Sequence, residues 1–229
     1  MKKVIACFAL FLFFSGGVFG QGCSRFYPMK EGATLQYTNY DKKGKSEGVI
    51  YYSISGVSEG AGITRATMNM SLKDKKGKEA YTSTYQIECT KNSVIIDYNS
   101  LVPDSMLEQM GNMEMEVTGT DIEVPNDLSI DQTLSDASVT IKMNMGAMNM
   151  TTEIFILNRK VEKKEVVSTP AGSFDCYVIY SDTQSSSMGI KRTFPSRIWL
   201  AEGIGMVKQE TYQKNGSLMS LMELTVYSQ

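Results

Sequence analysis

Residues Thr34–Val57, TLQYTNYDKKGKSEGVIYYSISGV, contain two runs of alternating apolar and polar side chains on either side of a charged turn. Alternation with a period of two places the apolar side chains of each run on one face of a β-strand. The glycine of the turn can supply the positive φ that a tight hairpin needs. The stretch therefore predicts a β-hairpin with one buried face.

The same pattern recurs along the chain and predicts an all-β, mainly antiparallel protein. Further alternating runs are AYTSTYQIEC, FDCYVIYSD and LMSLMELTVY. The turn Asp41–Lys45 recurs unchanged at Asp74–Lys78, and Lys214–Gly216 is a third turn of similar kind. Alternate turns of a meander lie at the same end of the sheet, so the two DKKGK turns are expected to form one basic rim. We expect its lysines to be solvated, and contact with anionic lipid is the alternative.

One segment, residues 99–112 (NSLVPDSMLEQMGN), departs from the alternation and predicts a short helix. Ser100 is a candidate N-cap, Pro103 suits the first turn, and Gly111 suits the C-terminal end. A single short helix among many long strands indicates a large curved sheet or half-barrel, with the helix over its concave side or mouth. The apolar face of this helix would carry Met106, Leu107 and Met110.

The chain begins MKKVIACFALFLFFSGGVFGQGC, in which two lysines precede an uninterrupted apolar stretch and then small residues. This order is typical of a secretory signal peptide. We assign residues 1–20 to the signal peptide and residues 21–229 to a single β-rich domain of a periplasmic or cell-envelope protein. The alternative, a lipoprotein whose mature N-terminus is a lipidated Cys23, would have a poor lipobox in Gly20–Gly22. No later segment approaches the ~20 apolar residues of a membrane helix.

The charge balance argues against a nucleic-acid partner. The chain has 23 basic and 25 acidic residues, a net charge of −2, and removal of Lys2 and Lys3 with the signal peptide changes it to −4. Nucleic-acid phosphates require a basic face.

Three cysteines, Cys23, Cys89 and Cys176, remain after Cys7 leaves with the signal peptide. An odd number in an exported protein predicts one disulfide and one free thiol. Cys89 alternates in phase with Ile87 on one strand, and Cys176 alternates with the apolar residues of another. Both are therefore expected to face the core, and any two of the three cysteines could pair.

The sequence predicts no catalytic residues and no cofactor. Gly56–Gly60, GVSEG, matches the nucleophile-elbow pattern, but strand-like segments flank it and the chain contains no histidine to activate Ser58. We interpret it as a hairpin turn. The absence of histidine also removes the commonest zinc and copper ligand. A carboxylate-based hydrolase is the least favoured alternative, because no pair of acidic residues has a diagnostic spacing.

Residues 141–150, IKMNMGAMNM, concentrate four methionines around a Gly-Ala centre. A two-residue hairpin loop at Gly146–Ala147 would place all four on one face of a strand pair. Opposed Cβ atoms in such a ladder lie ~5 Å apart, so the thioethers could converge on Cu(I). In this arrangement Met143 faces Met150, and Met145 faces Met148.

Methionine also fills irregular apolar space and adapts to what packs on it. Ile141 and Ile154 would continue the methionine face without adding ligands, and other methionines are spread along the chain. A metal site concentrates its ligands, whereas an adaptable lining spreads them. We therefore favour ordinary core or a deformable apolar groove over copper, and we assign no metal site.

Four motifs stand out along the mature chain: FYPMKEG at 26–32, TPAGSFDC at 169–176, Trp199 and GIGMVK at 203–208. Together they resemble the TapB-like exported proteins of Gram-negative envelopes, a group within a larger set of domains of unknown function. The resemblance covers nearly the whole mature chain and implies an envelope location and a curved antiparallel sheet, without an established activity. By looser analogy the chain looks like the half-barrel lipoprotein carriers, although architecture alone does not establish function.

We predict a non-enzymatic exported envelope protein that binds a lipid, acyl chain or hydrophobic peptide on a methionine-rich concave face. The alternatives are a structural or protein-interaction module with a solid core and an envelope protein partner, and a Cu(I)-binding protein. The predicted ligand-binding residues are Met106, Leu107, Met110, Met143, Met145, Met148 and Met150.

Overall fold

The computed structural model describes residues 23–101, 114–145, 148–187 and 189–229. The predicted signal peptide and most of the predicted helix, with Met106, Leu107 and Met110, lie outside these residues. The described helix is one 3₁₀ turn, Tyr98–Leu101. The strands are β1 Thr34–Asp41, β2 Ser46–Gly60, β3 Ile63–Asp74, β4 Glu79–Cys89, β5 Ser93–Ile96, β6 Glu114–Thr120, β7 Ile122–Pro125, β8 Ala137–Met145, β9 Met148–Thr169, β10 Gly172–Ser187, β11 Ile190–Ala201, β12 Gly205–Tyr212 and β13 Leu218–Ser228.

All the strands belong to one antiparallel sheet with the order β6-β8-β9-β10-β11-β12-β13-β1-β2-β3-β4-β5-β7. The two edge strands, β6 and β7, are separated in the chain by Asp121 alone. The opposite edges of the sheet must therefore meet at this residue, which curls the sheet into a nearly closed barrel. The predicted all-β, antiparallel, curved fold is confirmed.

The repeated DKKGK sequences form two hairpin turns of the same geometry. In the first, the Asp41 carboxylate accepts hydrogen bonds from the backbone N–H of Lys43 (2.8 Å) and Lys45 (2.9 Å), and these bonds lower the pKa of Asp41. Gly44 has a φ of 76°, which a residue with a side chain rarely adopts. Asp74 and Gly77 repeat this arrangement in the second turn.

The interpretation of Gly56–Gly60 as a hairpin turn is wrong. These residues lie within β2, which continues to Gly60, and the turn follows at Ala61 and Gly62. Gly56, with a φ of 78°, forms a β-bulge where the register with β3 shifts. The bulge explains the error, because it interrupts the alternation and needs a glycine, as a turn does.

Alternation along the strands builds the core, except where consecutive residues are buried, as in β10 and at Trp199–Ala201 of β11. Cys176 and Val178 pack in one cluster with Trp199, whereas Tyr177 and Ile179 pack in another with Phe26 and other apolar residues. This stretch is therefore buried on both faces, because segments from elsewhere in the chain cover the second face. The other members of the Phe26 cluster include Leu128, Leu134, Val161 and Leu200.

Cys23 and Cys89 form the disulfide, and Cys176 is a buried free thiol. The prediction of one disulfide and one free thiol is confirmed. The predicted burial of Cys89 and Cys176 is confirmed as well. Asn126 also holds the N-terminal segment by accepting a hydrogen bond from the Arg25 backbone N–H (3.0 Å) and donating one to the Cys23 carbonyl (2.8 Å). The segment that begins at Cys23 is thus fixed to the end of β4.

Replacing both Cys23 and Cys89 with serine should lower the stability of the protein. The disulfide joins residues that are 66 apart in the chain, and loss of such a bridge typically costs about 2–5 kcal/mol. For a chain of this size we expect a fall in Tm on the order of 10 °C, measured by circular dichroism. A reducing agent should produce a similar fall in the wild type and in the control Cys176→Ala. If reduction left the Tm of the wild type unchanged, the protein would not contain the stabilising Cys23–Cys89 disulfide.

Candidate functional site

The methionine ladder has the predicted pairing. Met143 is the partner of Met150, and Met145 is the partner of Met148, across β8 and β9. Met143 is only 1% exposed and packs with Val139 and Ile141 in an apolar cluster. The partly buried residues around that cluster are Tyr98, Leu101, Val117, Met150 and Ile154.

This environment favours a packed core at Met143 and Met150 over an open groove. The side chains of Met145 and Met148 lie outside the described part of the structure. Copper binding or ligand binding by the ladder therefore stays a prediction. Among the described residues, no group of three or more Asp, Glu or Cys side chains is placed to hold a metal ion.

An apolar cavity of about 250 Å³ lies elsewhere inside the curled sheet. Strands β1 to β4 form one side of it, and the β11–β12 region forms another. Tyr27 and Pro28 of the N-terminal segment also line it, as does Leu101, which is the last described residue before the gap at 102–113. The lining is Tyr27, Pro28, Leu35, Tyr37, Tyr52, Ile54, Met68, Tyr85, Ile87, Ile96, Ser100, Leu101, Ile122, Ile198, Ile204 and Met206.

Four tyrosines give this cavity its polar character. The Tyr37 hydroxyl donates a hydrogen bond to the Met206 carbonyl (2.6 Å). Within the described part of the chain, the hydroxyls of Tyr27, Tyr52 and Tyr85 have no hydrogen-bond partner. Because each phenol can donate one hydrogen bond and also accept, the cavity offers three unused donors in a wall whose side chains, apart from the tyrosines and Ser100, are apolar.

Burial raises the pKa of these phenols, because the charged phenolate is poorly solvated there. The pKa of Tyr27 and the pKa of Tyr52 are each raised to about 12. The pKa values of Tyr37 and Tyr85 are raised well above the ordinary value, by burial first and then by neighbouring phenols. The four hydroxyls therefore keep their protons at neutral pH and remain hydrogen-bond donors.

Arg159 is a buried cation close enough to Tyr27 for the two side chains to influence each other electrostatically. It is 3% exposed, and its Nη1 donates to the Ser135 carbonyl (2.6 Å). No carboxylate of the described residues forms an ion pair with it. Burial lowers the pKa of Arg159, which reflects the cost of removing a cation from water.

A second groove of about 600 Å³ lies on β1 to β4 and is lined mainly by hydroxyl and amide side chains. Several of these side chains bond to one another or to neighbours. Asn69 donates to Ser55 (2.6 Å) and accepts from Thr84 (3.4 Å), and Gln36 donates to Thr225 (3.2 Å). The groove is larger than the tyrosine-lined cavity, but its polar groups are already partly satisfied, so the cavity is the better candidate site.

A comparison with known families finds a match over most of the chain. A model described as DUF3108-like matches residues 30–224, which is most of the chain. The chain belongs to the DUF3108-like family. The sequence resemblance to a group of unknown function is thereby confirmed at this level, and the TapB-like grouping stays a prediction.

Two solved structures share the fold of this family member. A protein from Bacteroides fragilis NCTC 9343, provisionally described as exported and YmcC-like in fold, is 20% identical with a TM-score of 0.73. It matches over 90% of this chain and 100% of its own. A provisionally described lipoprotein from Parabacteroides distasonis ATCC 8503 is 23% identical with a TM-score of 0.74, over 91% of this chain and 100% of its own. At these identities the likeness shows the fold alone.

No curated protein matches the chain. The described residues contain no helix with the length and apolar character needed to cross a membrane.

Sequence reasoning missed the tyrosines of the cavity. Tyr37, Tyr52 and Tyr85 occupy inward positions of three strands, in phase with Leu35, Ile54 and Ile87. Alternation alone could have placed them inside. It could not show that the three strands, together with Tyr27, surround a common space, since that depends on how the sheet curls.

Replacing Met143 with alanine should destabilise the protein, because the side chain is packed among apolar residues. Such truncations typically cost about 2–5 kcal/mol, which a urea unfolding curve measures. Thr151→Ala, an exposed change on the adjoining strand, is the control and should have little effect. Equal stability of Met143→Ala and the wild type would show that this end of the ladder is not core.

The buried tyrosines should make the protein less stable in alkali. Below about pH 10 the phenols are neutral in both folded and unfolded chains, so their contribution is constant. Between about pH 10 and about pH 12 the unfolded chain loses protons that Tyr27 and Tyr52 retain, so stability falls by about 1.4 kcal/mol per pH unit for each tyrosine. Urea unfolding at about pH 9 and about pH 11 measures this. Tyr52→Phe should reduce the loss of unfolding free energy between these two pH values. If the loss is the same as in the wild type, the pKa of Tyr52 is not raised by folding.

Proposed function

We propose that this protein is an exported, non-enzymatic binding protein that takes an apolar molecule carrying acceptor oxygens into the tyrosine-lined cavity. The observation that carries the proposal is the set of three phenol donors, on Tyr27, Tyr52 and Tyr85, that have no partner among the described residues and face an apolar space. No fully buried side-chain nitrogen or oxygen of the described residues lacks a partner, so these three hydroxyls remain open to the space that they line. A ligand that brings acceptor oxygens would complete these bonds.

The chemistry of the wall favours an acyl chain over the other ligands that the sequence suggested. Among the described residues, the lining contains no carboxylate, lysine or arginine, and its aliphatic residues surround the phenols. A volume near 250 Å³ lies just below the usual range for small-molecule sites, about 300–1,000 Å³. This space suits part of an alkyl chain with an ester or carboxyl oxygen at the phenols, and it is too small for a folded peptide segment.

Methionine takes part in the proposed site at positions other than the ladder. Met68 and Met206 line the cavity on opposite sides. Their unbranched thioether side chains can adapt to ligands of different shape. The adaptable lining that the sequence indicated is thus proposed at these two residues.

Export is supported by the N-terminal sequence, by the provisional descriptions of the two structural relatives, and by the disulfide, since such bonds persist mainly outside the cytoplasm. The Sγ atom of Cys23 is bonded to Cys89. A lipoprotein anchor would need this same sulfur for its thioether. The bond therefore favours a protein released after cleavage near Gln21 over one lipidated at Cys23.

Filling the cavity should abolish ligand binding. With cis-parinaric acid, a fluorescent fatty acid, as the probe, Met206→Trp should weaken binding at least about tenfold because the indole occupies space lined by Met206. Met150→Trp, a matched change on the methionine ladder, should bind within about twofold of the wild type. Circular dichroism checks that both variants fold. If Met206→Trp binds normally and Met150→Trp does not, the ligand lies on the ladder and the proposed cavity is wrong.

Removing two phenol hydroxyls tests the polar part of the site separately. Tyr52→Phe with Tyr85→Phe should weaken binding of the same probe about tenfold, since each lost hydrogen bond is worth about 0.5–1.5 kcal/mol. The variant keeps the rings and therefore the packing. Unchanged affinity would show that the phenols do not contact the ligand.

A further inference from the structure

Within the described ranges, four hairpin turns lie at the same end of the sheet. The β1–β2 turn adjoins the β3–β4 turn, because Gly48 pairs with Asp74. It adjoins the β12–β13 turn on the other side, because Asp41 pairs with Ser220. The β10–β11 turn lies at this end too, since β11 runs antiparallel to β12. The described N-terminus, at Cys23, is fixed by its disulfide to the opposite end of β4.

Basic side chains are concentrated at this end of the sheet, which we call the basic rim. Ten basic side chains stand at or next to the four turns, and all are exposed. Seven acidic residues lie at the same level by strand register, namely Asp41, Glu47, Asp74, Glu79, Glu114, Glu116 and Glu153, and so does Lys142. With the ten basic residues at the turns, the rim has a net charge of +4 in a chain whose total is −2. The basic residues at the turns are Lys42, Lys43, Lys45, Lys73, Lys75, Lys76, Lys78, Lys191, Arg192 and Lys214.

The acidic residues at the rim offset part of this charge but form few ion pairs with the basic side chains. The carboxylates of Asp41 and Asp74 accept backbone N–H groups within their own turns. In the part of the chain that the structure describes, Lys75 is the one basic residue of the turns in an ion pair, with Glu47 at 3.8 Å. Because the turns are fixed by these backbone bonds, the remaining lysines extend from rigid tips into solvent.

The rim also presents an apolar side chain where a soluble turn would normally be polar. Ile190, at the tip of the β10–β11 hairpin, is 62% exposed and precedes Lys191 and Arg192. A cluster of basic residues around an exposed apolar side chain is typical of surfaces that bind anionic membranes. The cations contact lipid phosphates, and the apolar group enters the headgroup region.

We propose that the basic rim docks on an anionic membrane surface, with its lysines on lipid phosphates and Ile190 in the interfacial layer. Charge complementarity is local to the rim, because the rest of the chain is acidic and would be repelled by the same surface. Neighbouring strands are about 4.8 Å apart, so successive turns stand about 10 Å apart. That spacing is near the screening length at physiological salt, so the turns act together on one surface.

Co-sedimentation with vesicles tests this proposal. In about 0.15 M salt, the mature protein should bind vesicles of equimolar phosphatidylglycerol and phosphatidylcholine and should not bind vesicles of phosphatidylcholine alone. Lys43→Gln with Lys76→Gln changes equivalent positions of the two DKKGK turns. This variant should bind the anionic vesicles about 25-fold more weakly, at about fivefold for each lysine.

The matched control changes two exposed lysines away from the rim, Lys30→Gln with Lys91→Gln, and should bind within about twofold of the wild type. Ile190→Ser should also weaken binding, and the deficit should persist at high salt because it removes an apolar contact. The proposal would be overturned if both lysine-pair variants lost vesicle binding equally, or if the wild type bound anionic and neutral vesicles equally well. Met206→Trp should leave vesicle binding intact, so a failure of the cavity and a failure of the rim can be distinguished.

Discussion

The single residue between β6 and β7 is the constraint on which the rest of the structure depends. Asp121 links the two edge strands of a thirteen-stranded sheet, so the edges cannot separate by more than the span of one residue. Its carboxylate accepts the backbone N–H of Tyr98 (3.0 Å), which holds the 3₁₀ turn at the junction. Gly119 leaves room for the Tyr98 ring, since a Cβ there would lie 2.9 Å from the ring. The junction therefore combines a covalent limit, a hydrogen bond and close packing.

Closure at Asp121 creates the candidate site. Ile96 and Ile122, on the strands next to the junction, line the cavity together with Leu101 of the 3₁₀ turn. The N-terminal segment closes another side, and the disulfide at Cys23 keeps it there. In an open sheet the phenols of Tyr52 and Tyr85 would face water and would find partners in it. Curling the sheet instead turns them toward the cavity, where no described residue accepts a hydrogen bond from them, and the proposed ligand would supply acceptor oxygens.

The sequence predicts the local elements well and their assembly poorly. Alternation and glycine turns identify the strands and hairpins because both depend on neighbouring residues. The order β6-β8 at one edge and β5-β7 at the other depends on which distant segments pair, and a period of two carries no information about that. Along β10 the run Cys176–Ile179 is apolar at every position, so alternation cannot show that two separate clusters bury its two faces. The sequence did not reveal the cavity, because its lining comes from segments that are distant in the chain. The pairing of Met143 with Met150 could be predicted, because it follows from a two-residue loop between neighbouring strands.

A crystal structure of the mature protein with 2-bromohexadecanoic acid would test the central claim most directly, since anomalous scattering locates the bromine next to the carboxyl group. We expect the bromine inside the curled sheet, with the carboxyl oxygens within hydrogen-bond reach of Tyr52 or Tyr85. Bromine at the methionine ladder or on the outer face of the sheet would contradict this account, as would a cavity that remains free of ligand under conditions in which the protein binds the acid.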